Sequence, residues 1–329
     1  MTTVARQVSP LFPRPTAEDP GRDHGHGMAA SITRLKQALL ECAPVSAAME
    51  ARLLAATASS VAHPGKLVRG RLLQATATAL QVEETSATNL AVAVEYFHLA
   101  SLLLDDLPCM DDAQMRRGQP CVHRVHGEAT AILTALAFIN RAYALAGFAL
   151  APWPAAVRCQ AHAAMDACLG VTGLTGGQAR DLSYAATEPT ARDTAAIARA
   201  KTTPLLLLAV LLPALAGGAR AAEVSELRAV TLYWGLAFQA LDDLSDLLTT
   251  SVDAGKTTGR DRTLARPNLA LALGVPATRR RLGRLILQAE QRILRLNRAR
   301  PAWAFLSEFH QELARAAAPL AAGPVENAA

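Results

Sequence analysis

The sequence predicts an all-α, single-domain, many-helix bundle, on three observations. Alanine and leucine dominate its 329 residues, aromatics are only 4 %, and runs of β-branched residues are scarce, so summed propensity favours helix nearly everywhere. Hydrophobic residues make up 51 % of the chain, ample for a sizeable core and incompatible with disorder of the whole. Glycine and proline punctuate at intervals that leave helices of about 12–25 residues.

Taken in order, residues 1–30 carry prolines, glycines and scattered charges with no apolar run of secretory-signal length, and are expected to be a disordered tail. Met28 is a second candidate start beside Met1. The helical domain is expected over 31–318, since no composition shift divides it, with a flexible tail over 319–329. Breaks are expected at "HPG" (63–65), "LP" (107–108), "APWP" (151–154), "GLTGG" (173–177), "LAGG" (215–218) and "ARPN" (265–268). Before the second break, Leu90, Val94, Phe97 and Ser101 fall at helical spacing, and Leu99, Leu102 and Leu103 extend the apolar surface around most of that helix, so it should be buried on nearly all sides. The stretch Thr202 to Ala219 is uncharged but contains Pro204, Pro213 and a Gly-Gly pair. Its apolar part falls short of the ~18–20 residues a span requires, so a buried core helix is expected and no transmembrane segment. In 278–300, Leu282, Leu285, Ile286, Ala289, Ile293 and Leu296 form one stripe with arginines elsewhere. Such a helix docks on a bundle with a solvated basic face, and a membrane surface is its other partner.

The five cysteines are odd in number and never form a CxxC pair, which argues against a disulfide framework or zinc site and for a reducing cytoplasm. A net charge of +5 suits an anionic ligand and is too mild to imply nucleic acid. No Gly-rich phosphate loop, GxSxG or HExxH is present.

The chemistry is carried by acids placed among leucines. "LLLDDLPCMDDAQMRRGQP" (102–120) holds Asp105, Asp106, Asp111 and Asp112, and "DDLSD" brings Asp242, Asp243 and Asp246 to the end of a second apolar helix. Asp242 and Asp246 share a helical face, while Pro108 must loop the chain to bring Asp105 and Asp111 together. A lone acidic helix end is most simply a solvated one, but two such ends suit a hard cation of the magnesium type, held by a few carboxylates and substrate phosphates. Arg116, Arg117, Lys66, Arg69, Lys201 and Lys256 supply the cationic groups that bind diphosphate oxygens. A substrate with a diphosphate head and a hydrocarbon tail follows.

These residues give the chain a family likeness. "EYFHLASLLLDDLPCMDDAQMRRGQP", "GGQARDL" (176–182), "KTTPL" (201–205), "FQALDDLSD" (238–246) and "GKTTGRD" (255–261), in that order, resemble the trans-isoprenyl diphosphate synthases, most closely the bacterial geranylgeranyl diphosphate synthases. The resemblance implies an isoprenoid-synthase bundle with a central apolar cavity. In it, Asp105 and Asp111, supported by Asp106 and Asp112, and Asp242 with Asp243 and Asp246, would hold two or three magnesium ions on an allylic diphosphate. Arg116, Lys201 and Lys256 would contact that diphosphate, and Lys66, Arg69, His98 and Arg117 that of isopentenyl diphosphate. Thr202 and Gln239 would sit beside the reacting carbons, where their dipoles stabilise developing positive charge.

Two departures stand out: the stretch Lys66 to Gly70 is less basic than the family's, with Arg71 a partial compensation, and Arg266 replaces a family lysine. Ala100 and Ser101 are small, which resembles a geranylgeranyl producer, while Tyr96 and Phe97 are the expected floor of the product tunnel. A homodimer is implied by the same analogy. A farnesyl or other short-chain synthase, a class I terpene cyclase and a non-catalytic subunit of a heteromeric synthase are the alternatives; the two complete acid motifs and the paired arginines disfavour the last two.

Overall fold

A computed structural model describes residues 24–184, 190–249, 261, 264 and 266–321. Its helices are α1 (His24–Glu41), α2 (Ala51–Ala62), α3 (Val68–Ala79), α4 (Glu84–Asp105), α5 (Val122–His126), α6 (Glu128–Leu150), α7 (Ala155–Leu169), α8 (Leu174–Leu182), α9 (Ala191–Ala216), α10 (Ala221–Leu248), α11 (Leu269–Leu273), α12 (Val275–Ala299) and α13 (Leu306–Ala321), with a 3-10 turn at Pro301–Phe305 before the last. The strands among the described residues are β1 (Met115–Arg116) and β2 (Gln119–Pro120), an antiparallel hairpin pairing Met115 with Pro120 and Arg116 with Gln119.

Local chemistry fixes the helix starts. Glu83 caps α4 by accepting from the amides of Thr85 and Ser86, Thr190 and Asp193 close a reciprocal capping box on α9, and Asn268 accepts from Ala270 and Leu271 at the head of α11. Buried as expected, α4 packs between α6, α3, α9 and α1, and α10 lies between α9 and α12. The inner stripe of α12, Leu282, Leu285, Ala289, Ile293 and Leu296, is buried.

Four expectations are corrected. Residues 24–30, expected in the tail, are the first turns of α1 although Gly25 and Gly27 are poor helix formers, and α13 runs three residues past 318, where the alanines 316–318 carry the helix on. Gly176 and Gly177 do not break the chain but lie within α8. A Cβ on Gly177 would stand 2.8 Å from that of Ala200, so this glycine is a contact between α8 and α9. Finally, α4, α6 and α9 are each long and apolar enough to cross a bilayer by length and composition. Pro204 and Pro213 sit inside α9 without ending it. In α4 and α9 that apolarity is spent on the bundle interior.

Candidate active site

The loop after α4 converts a run of acids into a convergent pair. Beyond Asp105 the chain turns at Leu107 and Pro108, and returns so that the Asp111 amide donates to the Asp105 carbonyl at 2.9 Å and the Ala113 amide to that of Asp106 at 3.1 Å. Asp112 takes φ +46° to complete the turn. The chain then reverses through Arg117 and Gly118, both at positive φ, as a two-residue turn joining β1 and β2 requires. This tight hairpin aims two consecutive arginines differently. Arg116 donates through Nε to Asp106 at 2.9 Å, whereas Arg117 donates to the His63 carbonyl at 2.8 Å. The Arg117 guanidinium lies where a Cβ on Gly65 would be, 2.7 Å away.

A cavity of about 390 Å³ opens between α3, α4, α8, α9 and α10. Asp105, Asp111, Asp181, Asp242, Asp243 and Asp261 line it, with Lys201, Arg116 and Arg266 among them, and Arg69 and His98 line it as well. Its apolar wall includes Leu102, Ile197, Leu205, Leu206 and Phe238. The two acid motifs therefore share one chamber.

The acids are crowded and desolvated. Burial pushes the Asp105 carboxyl up to about 6 against the pull of Lys201, and raises Asp111 likewise. Lys201 Nζ lies 3.1 Å from Asp181 Oδ2, and despite burial the surrounding Asp105, Asp181 and Asp111 hold its ammonium above the ordinary lysine range. Arg266 straps the loop: Nη2 donates to the Met110 carbonyl at 2.6 Å, Nη1 to that of Asp181 at 3.3 Å, and Nε lies 3.8 Å from Asp111 Oδ1. Thr202 Oγ1 donates to Gln239 Oε1 at 3.0 Å, Gln239 Nε2 donates to Asp243 Oδ1 at 2.8 Å, and Asp243 Oδ2 accepts from the Leu269 amide at 2.7 Å. That relay fixes the amide of Gln239 and ties α9, α10 and α11 together. Burial, with Asp261 and Asp242 nearby, raises Asp243 to about 7. His98 is held well below its usual range by burial and by Arg69, Arg117 and Arg116, so it is a neutral imidazole. Burial depresses Arg69, with Arg117 adding to the effect and the neighbouring Glu95 carboxylate opposing it.

An all-oxygen set of crowded, desolvated carboxylates fits a hard divalent cation. Among the described residues no three candidate ligands stand close enough to enclose an ion unaided, so phosphate oxygens and water would have to complete the shell.

Of the residues expected from sequence, Asp105, Asp111, Asp242, Asp243, Arg69, His98, Ser101, Arg116, Lys201, Thr202 and Gln239 line the cavity. Asp106, Asp112 and Asp246 are not on its wall. Asp106 pairs with Arg116, and Asp246 is buried. Arg117 lines a neighbouring pocket with His63 and Leu99, and Lys66 is exposed beside a small groove with Trp234 and Phe309. Lys256 lies outside the described residues. Arg71 is no substitute cation, since it forks onto Glu312 at 2.7 and 3.3 Å and stacks over Phe309.

The expected floor, Tyr96 and Phe97, is not on the wall of this cavity. Tyr96 turns away to donate to the Leu39 carbonyl and pack on Phe138, and Phe97 meets the ring of Tyr143 on α6 at 4.9 Å. Phe97 stands eight residues before Asp105, about 80° around the helix, while His98 is nearly in line with it. Ala100 is buried off the cavity, and Ser101 alone of these four faces it. Sequence reasoning gave no role to Asp181 and Asp261, although both lie in the quoted blocks "GGQARDL" and "GKTTGRD".

The family model for polyprenyl synthetase matches residues 50–299. A geranylgeranyl diphosphate synthase of Pseudescherichia vulneris is 36 % identical over 235 residues, covering 71 % of this chain and 75 % of that one. Another, from Pantoea ananas, is 35 % identical over 267 residues, covering 79 % and 84 %. Among solved structures, a geranyltransferase from Helicobacter pylori complexed with magnesium and isoprenyl diphosphate superposes with a TM-score of 0.77 at 25 % identity, over 92 % of this chain and 98 % of that one. An FPP/GFPP synthase from Zymomonas mobilis gives 0.69 at 26 % identity, over 82 % and 91 %. Two acid motifs in one chamber, the all-helical isoprenoid-synthase fold and these relatives agree: the chain is a prenyltransferase and belongs to the polyprenyl synthetase family.

Proposed function

We propose that the protein is a magnesium-dependent geranylgeranyl diphosphate synthase, condensing isopentenyl diphosphate with dimethylallyl, geranyl and farnesyl diphosphates in turn. The observation that carries this reading is the cavity in which Asp105, Asp111 and Asp242 share one acidic mouth with Lys201 and Arg116, above an apolar wall.

Magnesium bound between the carboxylates and the allylic diphosphate would supply Lewis-acid neutralisation of the leaving group. Lys201 and Arg116 add fixed positive charge to the same end, and Lys256 is the expected third cation. As the allylic C–O bond breaks, its electron pair leaves with the diphosphate. The amide oxygen of Gln239, oriented through Thr202 and Asp243, offers its dipole to the developing allylic cation. Arg69 and neutral His98, with Arg117 and Lys66 nearby, bind the second diphosphate so that the double bond of isopentenyl diphosphate supplies the π pair for the new C–C bond. A proton then departs to the released diphosphate. Leu102, Leu205, Leu206 and Phe238 keep water from intercepting the cation.

Incubation with magnesium, isopentenyl diphosphate and each primer should yield the twenty-carbon diphosphate as end product. Cyclic hydrocarbons, or turnover only on addition of a partner subunit, would overturn the proposal. A fifteen-carbon end product would instead make it a farnesyl diphosphate synthase, the runner-up. Product length is tested at Ser101: Ser101→Phe should fill the cavity beside Asp105 and shift the products from twenty to fifteen carbons, and an unchanged distribution would remove Ser101 from length control.

We also propose a homodimer formed through α6. Ile132, Leu133, Leu136, Tyr143 and Phe148, each at least 40 % exposed, belong to one outward face of that helix, an apolar surface that a partner would cover. Light scattering at working concentration should give twice the chain mass. The five free cysteines support a reducing cytoplasm as its compartment.

A further inference from the structure

We propose that the outer face of α12 docks the protein on an anionic lipid surface. The inner stripe of this helix is consumed by packing on α10 and α13. Its opposite side carries Arg280, Arg284, Leu287, Gln291, Leu294 and Arg298 at intervals of three and four residues, so that they form a single outward stripe. Leu287 and Leu294 are 58 % and 48 % exposed, although smaller and polar residues would satisfy a merely solvated face.

The neighbouring charges show what is left for a partner. Glu226 on α10 lies 3.3 Å from Arg292 and 3.6 Å from Arg295, and Glu223 lies 3.0 Å from Arg300, so these arginines, two on α12 and one at its C-terminal cap, have acid partners on α10. Arg280, Arg284 and Arg298 form no ion pair among the described residues. They bracket the two leucines at both ends. Free guanidinium groups around a leucine pair match the headgroup layer of an anionic membrane, where the cations meet phosphate and the leucines enter the acyl boundary. A nucleic acid would use the arginines but leave the leucines in water. A second copy of this chain would bring the same cations into opposition.

Cosedimentation of the full chain with phospholipid vesicles tests this without substrate. The protein should bind vesicles of phosphatidylcholine containing phosphatidylserine, bind pure phosphatidylcholine poorly, and be released as salt shortens the ~8 Å screening length of physiological buffer. The triple change Arg280→Gln, Arg284→Gln, Arg298→Gln and the double change Leu287→Ser, Leu294→Ser should each weaken binding at least about tenfold. Both should keep prenyltransferase turnover and solution mass, because all five positions lie outside the cavity and the α6 face. No binding to the anionic vesicles, equal binding to neutral ones, or parental binding by either variant would overturn the proposal. So would a change in solution mass, which would assign the face to protein contact. The salt titration of the unaltered chain stands even if a variant fails to fold.

Discussion

Replacing Asp105 with asparagine should lower kcat/KM by about 10³-fold or more while the thermal midpoint of the metal-free protein holds or rises. Asp105 ends α4, and the return of the loop places it beside Asp111, facing Lys201 in the cavity. Asparagine keeps its volume and one oxygen but cannot bring negative charge to a cation. Removing a ligand to magnesium should forfeit several kcal/mol of charge stabilisation as the diphosphate departs. The fold has the opposite interest, because burial, with Asp111 and Asp181 repelling it, disfavours this carboxylate by more than Lys201 and Arg116 favour it. Its neutral isostere therefore relieves the bundle. Steady-state kinetics with saturating magnesium, beside a thermal melt without metal, would separate the two effects. Near-parental turnover would show that Asp111 and Asp242 suffice, and a large fall in the midpoint would show that Asp105 is structural.

The position of the acids was legible because carboxylates among leucines are costly without a partner, and the convergence of Asp105 with Asp111 followed from Pro108. How each acid is used was not. Adjacent acids leave a helix about 100° apart, so Asp106 meets Arg116, while Asp243 spends both oxygens on Gln239 and the Leu269 amide. Sequence names such acids but not the distant groups that engage them. The same limit hid Arg266, whose grip on Met110 and Asp181 crosses much of the chain. The misplacement of Phe97 has another origin. On a helix apolar nearly all round, spacing cannot say which sector faces the cavity, and only the line from His98 to Asp105 marks it. Gly177 was misread because a glycine in a contact and a glycine in a turn look alike until the neighbouring helix is known.

Gly235→Ala should destabilise the protein by about 1–2 kcal/mol net and depress turnover, although Gly235 is not on the cavity wall. Gly235 lies within α10, where alanine would ordinarily help by about 1 kcal/mol. Here α9 approaches too closely: the new Cβ would stand 2.4 Å from Thr203 Oγ1 and 3.1 Å from the Thr203 Cα and amide nitrogen. A rotamer change can move the hydroxyl but not the backbone, so the helices must part. The residues on either side carry the cost to the chemistry, because Thr202 donates to Gln239 across this contact at 3.0 Å and Gln239 is one turn along from Gly235. Separating the helices by a few tenths of an ångström weakens that bond and frees the amide that should face the allylic cation. Gly283→Ala in α12 is the matched control, since a Cβ there meets nothing within 4 Å and should stabilise by about 0.5–1 kcal/mol with unchanged turnover. Urea midpoints and kcat for the pair decide the matter: if Gly235→Ala melts with Gly283→Ala and turns over as fast, α9 and α10 have slack, and the orientation of Gln239 does not depend on their close approach.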